Sequence, residues 1–151
     1  MHADDLLDLM QIEPPTVALG VPTIWMTLMQ AFDAAQADDS PDLGRWRLPK
    51  PMHIITGGAT MPESLIRAFD KHGVWMEQGW GMTETSPVGT RSYRRAELRD
   101  AGDDEKYRRA AMAGVPVPLV DLRIWGDKGE QPWDGNSAGE IQVRGPFVTG
   151  S

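Results

Sequence analysis

Apolar residues along the first half of the chain recur at two alternating periods. Leu6, Leu7 and Met10 share one side of a 3.6-residue repeat, so the first ten residues are expected to be helical. Pro14-Pro15 ends that element. Residues 16–19 read as a short strand, and Gly20-Val21-Pro22 turns the chain into a second helix. On that helix Trp25, Leu28, Met29 and Phe32 stand at i, i+3, i+4 and i+7, an unbroken apolar stripe. A polar stretch, 37–51, is a loop by composition. Residues 52–56 form a second strand, broken by Gly57-Gly58. The segment Thr60-Met61-Pro62-Glu63 fits a capping box that opens a third helix, which buries Leu65 and Phe69 and stops at Gly73. Residues 74–77 are a third strand, running straight into Gln78-Gly79-Trp80-Gly81-Met82-Thr83-Glu84-Thr85.

Helices alternating with short apolar strands predict an α/β fold with a parallel sheet. The texture changes at Val115. Residues 119–125 and 140–143 alternate as strands do, around a turn-rich stretch at Gly126, Gly129, Asp134, Gly135 and Asn136. We therefore divide the chain into an α/β portion, 1–113, and a β-rich portion, 114–151.

Composition narrows the chemistry mainly by exclusion. The 151 residues suffice for one domain with a core. With no cysteine, disulfides, thiolate metal sites and a cysteine nucleophile are all excluded. The net charge of −7 argues against nucleic acid as the main partner. The acidic start does not resemble a signal peptide, and no apolar run approaches the roughly 20 residues that span a bilayer. These features suit a cytoplasmic protein, with peripheral membrane contact left open. One stretch departs from the acidic balance: Arg91, Arg94, Arg95, Arg99, Lys106, Arg108 and Arg109 are interleaved with acids. It reads as a solvated, salt-bridged surface, with a surface for a phosphorylated or membrane partner as the alternative. His2, His53 and His72 lack metal-ligand spacing.

Both glycine-bearing loops follow strands directly, where open α/β sheets bind ligands. At Gly57-Gly58-Ala59-Thr60 missing side chains let backbone approach a ligand, and the following helix start could offer N–H groups to an anion. Such a turn is structural at least as often as functional. In Gly79-Trp80-Gly81-Met82-Thr83-Glu84 an aromatic ring between glycines precedes a hydroxyl and a carboxylate. That ordered set suits a purine, a phosphate oxygen and a hard divalent cation.

Gln78-Gly79-Trp80-Gly81-Met82-Thr83-Glu84 resembles the adenine-and-magnesium loop of the adenylate-forming superfamily, which includes acyl-CoA synthetases, luciferases and peptide-synthetase adenylation domains. Gly20-Val21-Pro22-Thr23, Thr56-Gly57-Gly58-Ala59-Thr60, Gly114-Val115-Pro116-Val117-Pro118 and Gly139-Glu140-Ile141-Gln142-Val143-Arg144-Gly145-Pro146 resemble that family's other segments in the family's order. Trp80 replaces the commoner tyrosine. It is similar to the medium- and long-chain fatty-acid–CoA ligase branch, where Trp-Gly-Met-Thr-Glu-Thr-Ser-Pro occurs.

The resemblance implies a layered N-terminal domain with a parallel sheet, and roles position by position. Gln78, Gly79, Trp80, Gly81, Met82 and Thr83 would form the nucleotide loop, with Trp80 stacked near adenine. Gly58, Ala59 and Thr60 would lie on the nucleotide's other side. Thr83 would touch the α-phosphate and Glu84 would hold Mg²⁺, making these two the catalytic pair. Gly57, Gly79 and Gly81 would leave room for the acyl-adenylate. Trp25, core by its stripe, has an acyl-pocket wall as its alternative. The implied substrates are ATP, a fatty acid and coenzyme A. The family's Ser/Thr/Gly-rich phosphate loop, its ribose-binding Thr-Gly-Asp and its C-terminal lysine have no counterpart here, where the last residues are Thr149-Gly150-Ser151. We therefore expect a slice of a larger N-terminal domain, inactive alone and prone to self-association through uncovered faces such as the Trp25 stripe. A luciferase-like or peptide-synthetase adenylation domain, and a non-catalytic protein keeping the fold, are the rival readings.

Overall fold

The computed structural model describes residues 2–150. Helix α1 (Ala3–Ile12) packs on α2 (Pro22–Ala35), with strand β1 (Val17–Gly20) between them in sequence. Strand β2 (Met52–Thr56), helix α3 (Glu63–Asp70) and strand β3 (Val74–Trp80) follow. The chain then returns through β4 (Thr90–Arg91), helix α4 (Asp103–Ala110) and β5 (Val115–Pro116). These five strands form one sheet in sequential order; β1, β2 and β3 run parallel, while β4 and β5 pair antiparallel. Strands β6 (Asp121–Gly126), β7 (Gly129–Gln131) and β8 (Glu140–Arg144) make a separate antiparallel sheet in the order β7-β6-β8. The chain is thus α/β with a parallel centre and an added β layer.

The predicted stripes build the core. Leu7 and Met10 of α1, the whole Trp25, Leu28, Met29, Phe32 stripe of α2, and Leu65, Ile66 and Phe69 of α3 are buried against Met52, Ile54, Val74 and Met76 of the sheet. Trp25 meets Phe69 edge to face at 6.4 Å. The stripe is therefore covered, and it does not supply the open apolar face expected of it. Exposed apolar side chains lie elsewhere, at Ile12, Val17, Leu19, Ile24 and Met26.

Several boundaries differ from expectation for identifiable reasons. The capping box at 60–63 does not form: Thr60 is exposed, and α3 starts at Glu63 behind Pro62. Met61 is buried and its N–H donates to Gln78 Oε1 at 2.9 Å, which anchors this stretch to β3 ahead of the helix. Strand β3 continues three residues past Glu77, because β4 pairs with Gly79 and Trp80 and satisfies their backbone groups. In the 37–51 loop Trp46 and Leu48 are core residues; the Trp46 indole donates to Asp8 Oδ1 at 2.7 Å, and Arg45 holds the same carboxylate. Those two donors hold the Asp8 carboxyl below its usual range. Leu119 takes a positive φ of 71°, so β6 begins two residues later than its pattern suggested.

Glu77 is buried within the sheet and pairs with Arg91 of β4, while His53 Nε2 of β2 lies 3.1 Å from its second oxygen. The contact lacks the alignment of a hydrogen bond at His53 Nε2. The cluster ties three adjacent strands together. Among the described residues no helix is long and apolar enough to cross a membrane.

Candidate active site at the carboxyl ends of the parallel strands

Because β1, β2 and β3 are parallel, their carboxyl ends and following loops gather at one edge of the sheet. A cavity of about 320 Å³ opens there. Its wall includes Gly57 and Gly58 after β2, and Gly79, Trp80, Gly81, Met82 and Thr83 at and after β3. Two loops about twenty residues apart in sequence thus share one cavity.

The close approach of these loops depends on glycine. A Cβ on Gly57 would stand 2.9 Å from the Gly79 carbonyl oxygen, and one on Gly81 only 1.8 Å from that of Pro87. Gly58 adopts a φ of +81°, which a side chain disfavours. Beyond Gly81 the chain makes a 3-10 turn at Thr83–Thr85. Thr85 shapes it: the buried hydroxyl accepts the Met82 N–H at 2.8 Å and lies 2.9 Å from the carbonyls of Met82 and Pro87. The turn is further pinned from the C-terminal side. Thr149 N–H donates to the Glu84 carbonyl at 2.8 Å, and Ser86 Oγ donates to the Phe147 carbonyl at 2.9 Å.

Not every residue singled out in the sequence reaches the cavity wall. Trp80 does, half-buried and laid against Gly89, where an added Cβ would come within 3.0 Å of its ring. It ends β3 and does not stand free on a loop. Gln78 turns its amide oxygen to the Met61 N–H, so its contribution is to fasten the first loop to the second. Ala59 and Thr60 are exposed beside the cavity's glycine pair, outside its wall. Glu84 is exposed one residue past the wall and has no ion-pair partner among the described residues. No cluster of three or more metal-ligating side chains occurs among the described residues. A single free carboxylate is nevertheless what Mg²⁺ commonly takes from protein, the remaining positions going to water and substrate phosphate.

Residue-by-residue reading missed Thr56. Its hydroxyl is buried at the end of β2, lines the cavity and has no hydrogen-bond partner among the described residues. An unpaired buried hydroxyl is costly unless something occupies it. Thr56 is the residue directly before the glycine pair, which is the signal that could have marked it. The wall also contains Leu19, Ile55 and Val88, and it holds no lysine or arginine. It is therefore apolar with a few polar groups, as small-molecule sites usually are.

A sequence profile for the AMP-binding enzymes matches residues 1–151. The chain belongs to the AMP-binding enzyme family. It is 38% identical over 146 residues to a long-chain-fatty-acid–CoA ligase of Thermus thermophilus, covering 96% of this chain and 25% of that protein. With a medium-chain-fatty-acid–CoA ligase of Ectopseudomonas oleovorans the identity is 37%, covering 95% of this chain and 25% of the relative. Among solved structures, the O-succinylbenzoate coenzyme A synthetase of Bacillus subtilis, in complex with ATP and magnesium ion, superimposes with a TM-score of 0.72. It is 23% identical and covers all of this chain and 27% of that one, a likeness of fold. The chain spans about a quarter of the length of the curated relatives it matches.

Proposed function

We propose that this chain supplies the nucleotide- and acyl-facing loops of an ATP-dependent fatty-acid–CoA ligase. The observation that carries the reading is the meeting of Gly57-Gly58 and Gly79–Thr83 in one apolar cavity, beside the unpaired Thr56 hydroxyl. Its fatty-acid direction rests on the likeness to long- and medium-chain ligases and on Trp80.

The reaction follows from the weakness of a carboxylate as an acylating agent. A carboxylate oxygen attacks the α-phosphorus of ATP, the bond to the β-phosphate bridging oxygen breaks, and pyrophosphate leaves. The coenzyme A thiol then attacks the acyl carbon, losing its proton, and AMP departs with the electron pair. In this scheme Trp80 borders the adenine, with Gly58, Ala59 and Thr60 across from it and Gln78 bracing the two loops. Met82 closes the nucleotide side, and Thr83 donates to the α-phosphate. Gly57, Gly79 and Gly81 keep the space where the mixed anhydride forms. Glu84 is the residue that would hold Mg²⁺, whose chemistry there is neutralisation of phosphate charge. The protein's part is positioning and charge stabilisation.

The deciding experiment is pyrophosphate exchange by the complete polypeptide that contains this chain. Exchange stimulated by fatty acids, and not by amino acids, supports the reading. Exchange driven by amino acids alone, or none with any acid, overturns it.

A further inference from the structure

A second cavity, of about 340 Å³, lies where α4 and the segment before it meet β3. Trp75, the second residue of β3, lines it, whereas the candidate active site begins at the other end of that strand. Along β3, Trp75 precedes Gly79, the first residue of that strand in the other wall, by four residues or about 13 Å, and the two walls share no residue. The wall carries Arg94, Arg95, Arg99, Lys106 and Arg109 and not one carboxylate. In a chain of net charge −7, that is a local inversion of sign.

Acids outside the wall neutralise part of it. Arg95 pairs with Glu97 at 2.6 Å, and Arg109 shares Glu105 with Arg108. Lys106 reaches Asp103 only at 3.7 Å. Arg94 and Arg99 have no carboxylate within ion-pair distance among the described residues. Like charges gathered round one space repel, and an anion relieves that cost. The Arg94 guanidinium is also held in place, 4.3 Å from the centre of the Trp75 ring. A guanidinium fixed in this way offers its forked donors without first losing much freedom. The Trp75 indole N–H is buried with no acceptor among the described residues, a further donor without a partner.

The ring itself is already engaged, by Arg94 and by Tyr107 stacked at 6.4 Å. Recognition here would rest on charge and hydrogen bonds, not on stacking a base. Guanidinium groups match the oxygens of phosphate in pairs. The volume is at the lower end of small-molecule sites, larger than a bare phosphate requires.

We propose that this cavity binds the phosphate group of a phosphorylated molecule, through Arg94 and Arg99, with Lys106 and Arg109 completing the charge. The phosphate can belong to a soluble metabolite or to a lipid headgroup. The proposal stands independently of the ligase reading, since it uses none of that site's residues.

The test uses the 151-residue chain, with pyrophosphate in one arm and vesicles in the other. The vesicles are phosphatidylcholine, with or without phosphatidic acid. Calorimetric titration with pyrophosphate is expected to saturate, and Arg94→Gln/Arg99→Gln to weaken it by roughly tenfold or more, as loss of charge-assisted bonds requires. Arg123→Gln, on β6 and outside the cavity, should leave binding unchanged. Saturation in the pyrophosphate arm assigns a soluble phosphate. Co-sedimentation with phosphatidic-acid vesicles alone, lost in the same double variant, assigns a headgroup. Lys106→Gln carries the same comparison should the double variant fail to fold. No binding in either arm, or binding indifferent to these substitutions, or equally sensitive to Arg123→Gln, overturns the proposal.

Discussion

Glu84 separates chemistry from stability at the scale of one side chain. It is exposed, unpaired among the described residues, and sits in a three-residue turn too short to carry a helix dipole of consequence. If the proposed role holds, Glu84→Gln in a complete polypeptide that contains this chain is expected to slow pyrophosphate exchange by roughly tenfold or more, with a shifted Mg²⁺ dependence. Its thermal unfolding should stay within about 0.5 kcal/mol of the parent. Normal exchange across a Mg²⁺ titration would remove Glu84 from the mechanism. Gly81 predicts the opposite pattern. An alanine there drives its Cβ into the Pro87 carbonyl, and the loop must open to accept it. Gly81→Ala is expected to cost about 2–3 kcal/mol by chemical denaturation. Both residues were visible in the sequence as parts of one ordered motif. Thr56 and Thr85 stand in the same quoted segments, but their roles were not legible, because a threonine's burial and partners depend on what folds over it.

At the scale of elements, α4 shows how a charged segment is fastened. Its surface pairs, Glu105 with Arg108 and Arg109, are exposed and contribute little each. The tie to the core is Tyr107, whose hydroxyl donates to Asp70 Oδ2 of α3 at 2.6 Å while its ring stacks on Trp75. The Asp70 carboxylate, first, and then burial push the phenol up to about 12. The unfolded phenol titrates near 10. Below pH 10 both states keep the proton, and the bond's contribution is fully present. Between about 10 and 12 the unfolded state loses the proton first, so stability falls as pH rises. Tyr107→Phe should cost about 1 kcal/mol near neutrality and flatten that alkaline slope, read from urea midpoints at successive pH values. The interleaved charges of 91–109 announced a solvated segment. That five of its cations would face one cavity was not readable, since it depends on how this segment and α4 fold back on β3.

For the whole molecule, the distribution of apolar surface leads to two expectations. Strand β1 is the sheet's edge, with Val17 53% and Leu19 67% exposed, and Ile24 and Met26 of α2 are exposed as well. An apolar open edge invites pairing. We expect the 151-residue chain to self-associate at micromolar concentration in light scattering, and Leu19→Lys to shift it toward monomer. A stable monomer of the parent chain would count against this. The cavity wall, meanwhile, brings no cation to a triphosphate. Incubated with ATP, coenzyme A and a fatty acid, the chain alone is expected to form no acyl-CoA, and thioester above background would contradict that.

The helical stripes, the parallel α/β centre and the ordered glycine motifs were legible in the amino-acid order, because each is written within a few residues of itself. Periodicity reports which side of an element is apolar, and glycine reports where backbone must come close. What pairs with what is a different kind of information. The extension of β3 through Gly79 and Trp80 depends on β4, which follows it by ten residues and supplies the missing hydrogen bonds. Trp46 joins the core from a loop because Asp8, in α1, accepts its indole proton. The turn at Thr83–Thr85 is held by Phe147 and Thr149 from the far end of the described chain. Each outcome was settled by partners distant in sequence, since a buried polar group takes whichever partner the folded chain brings within reach.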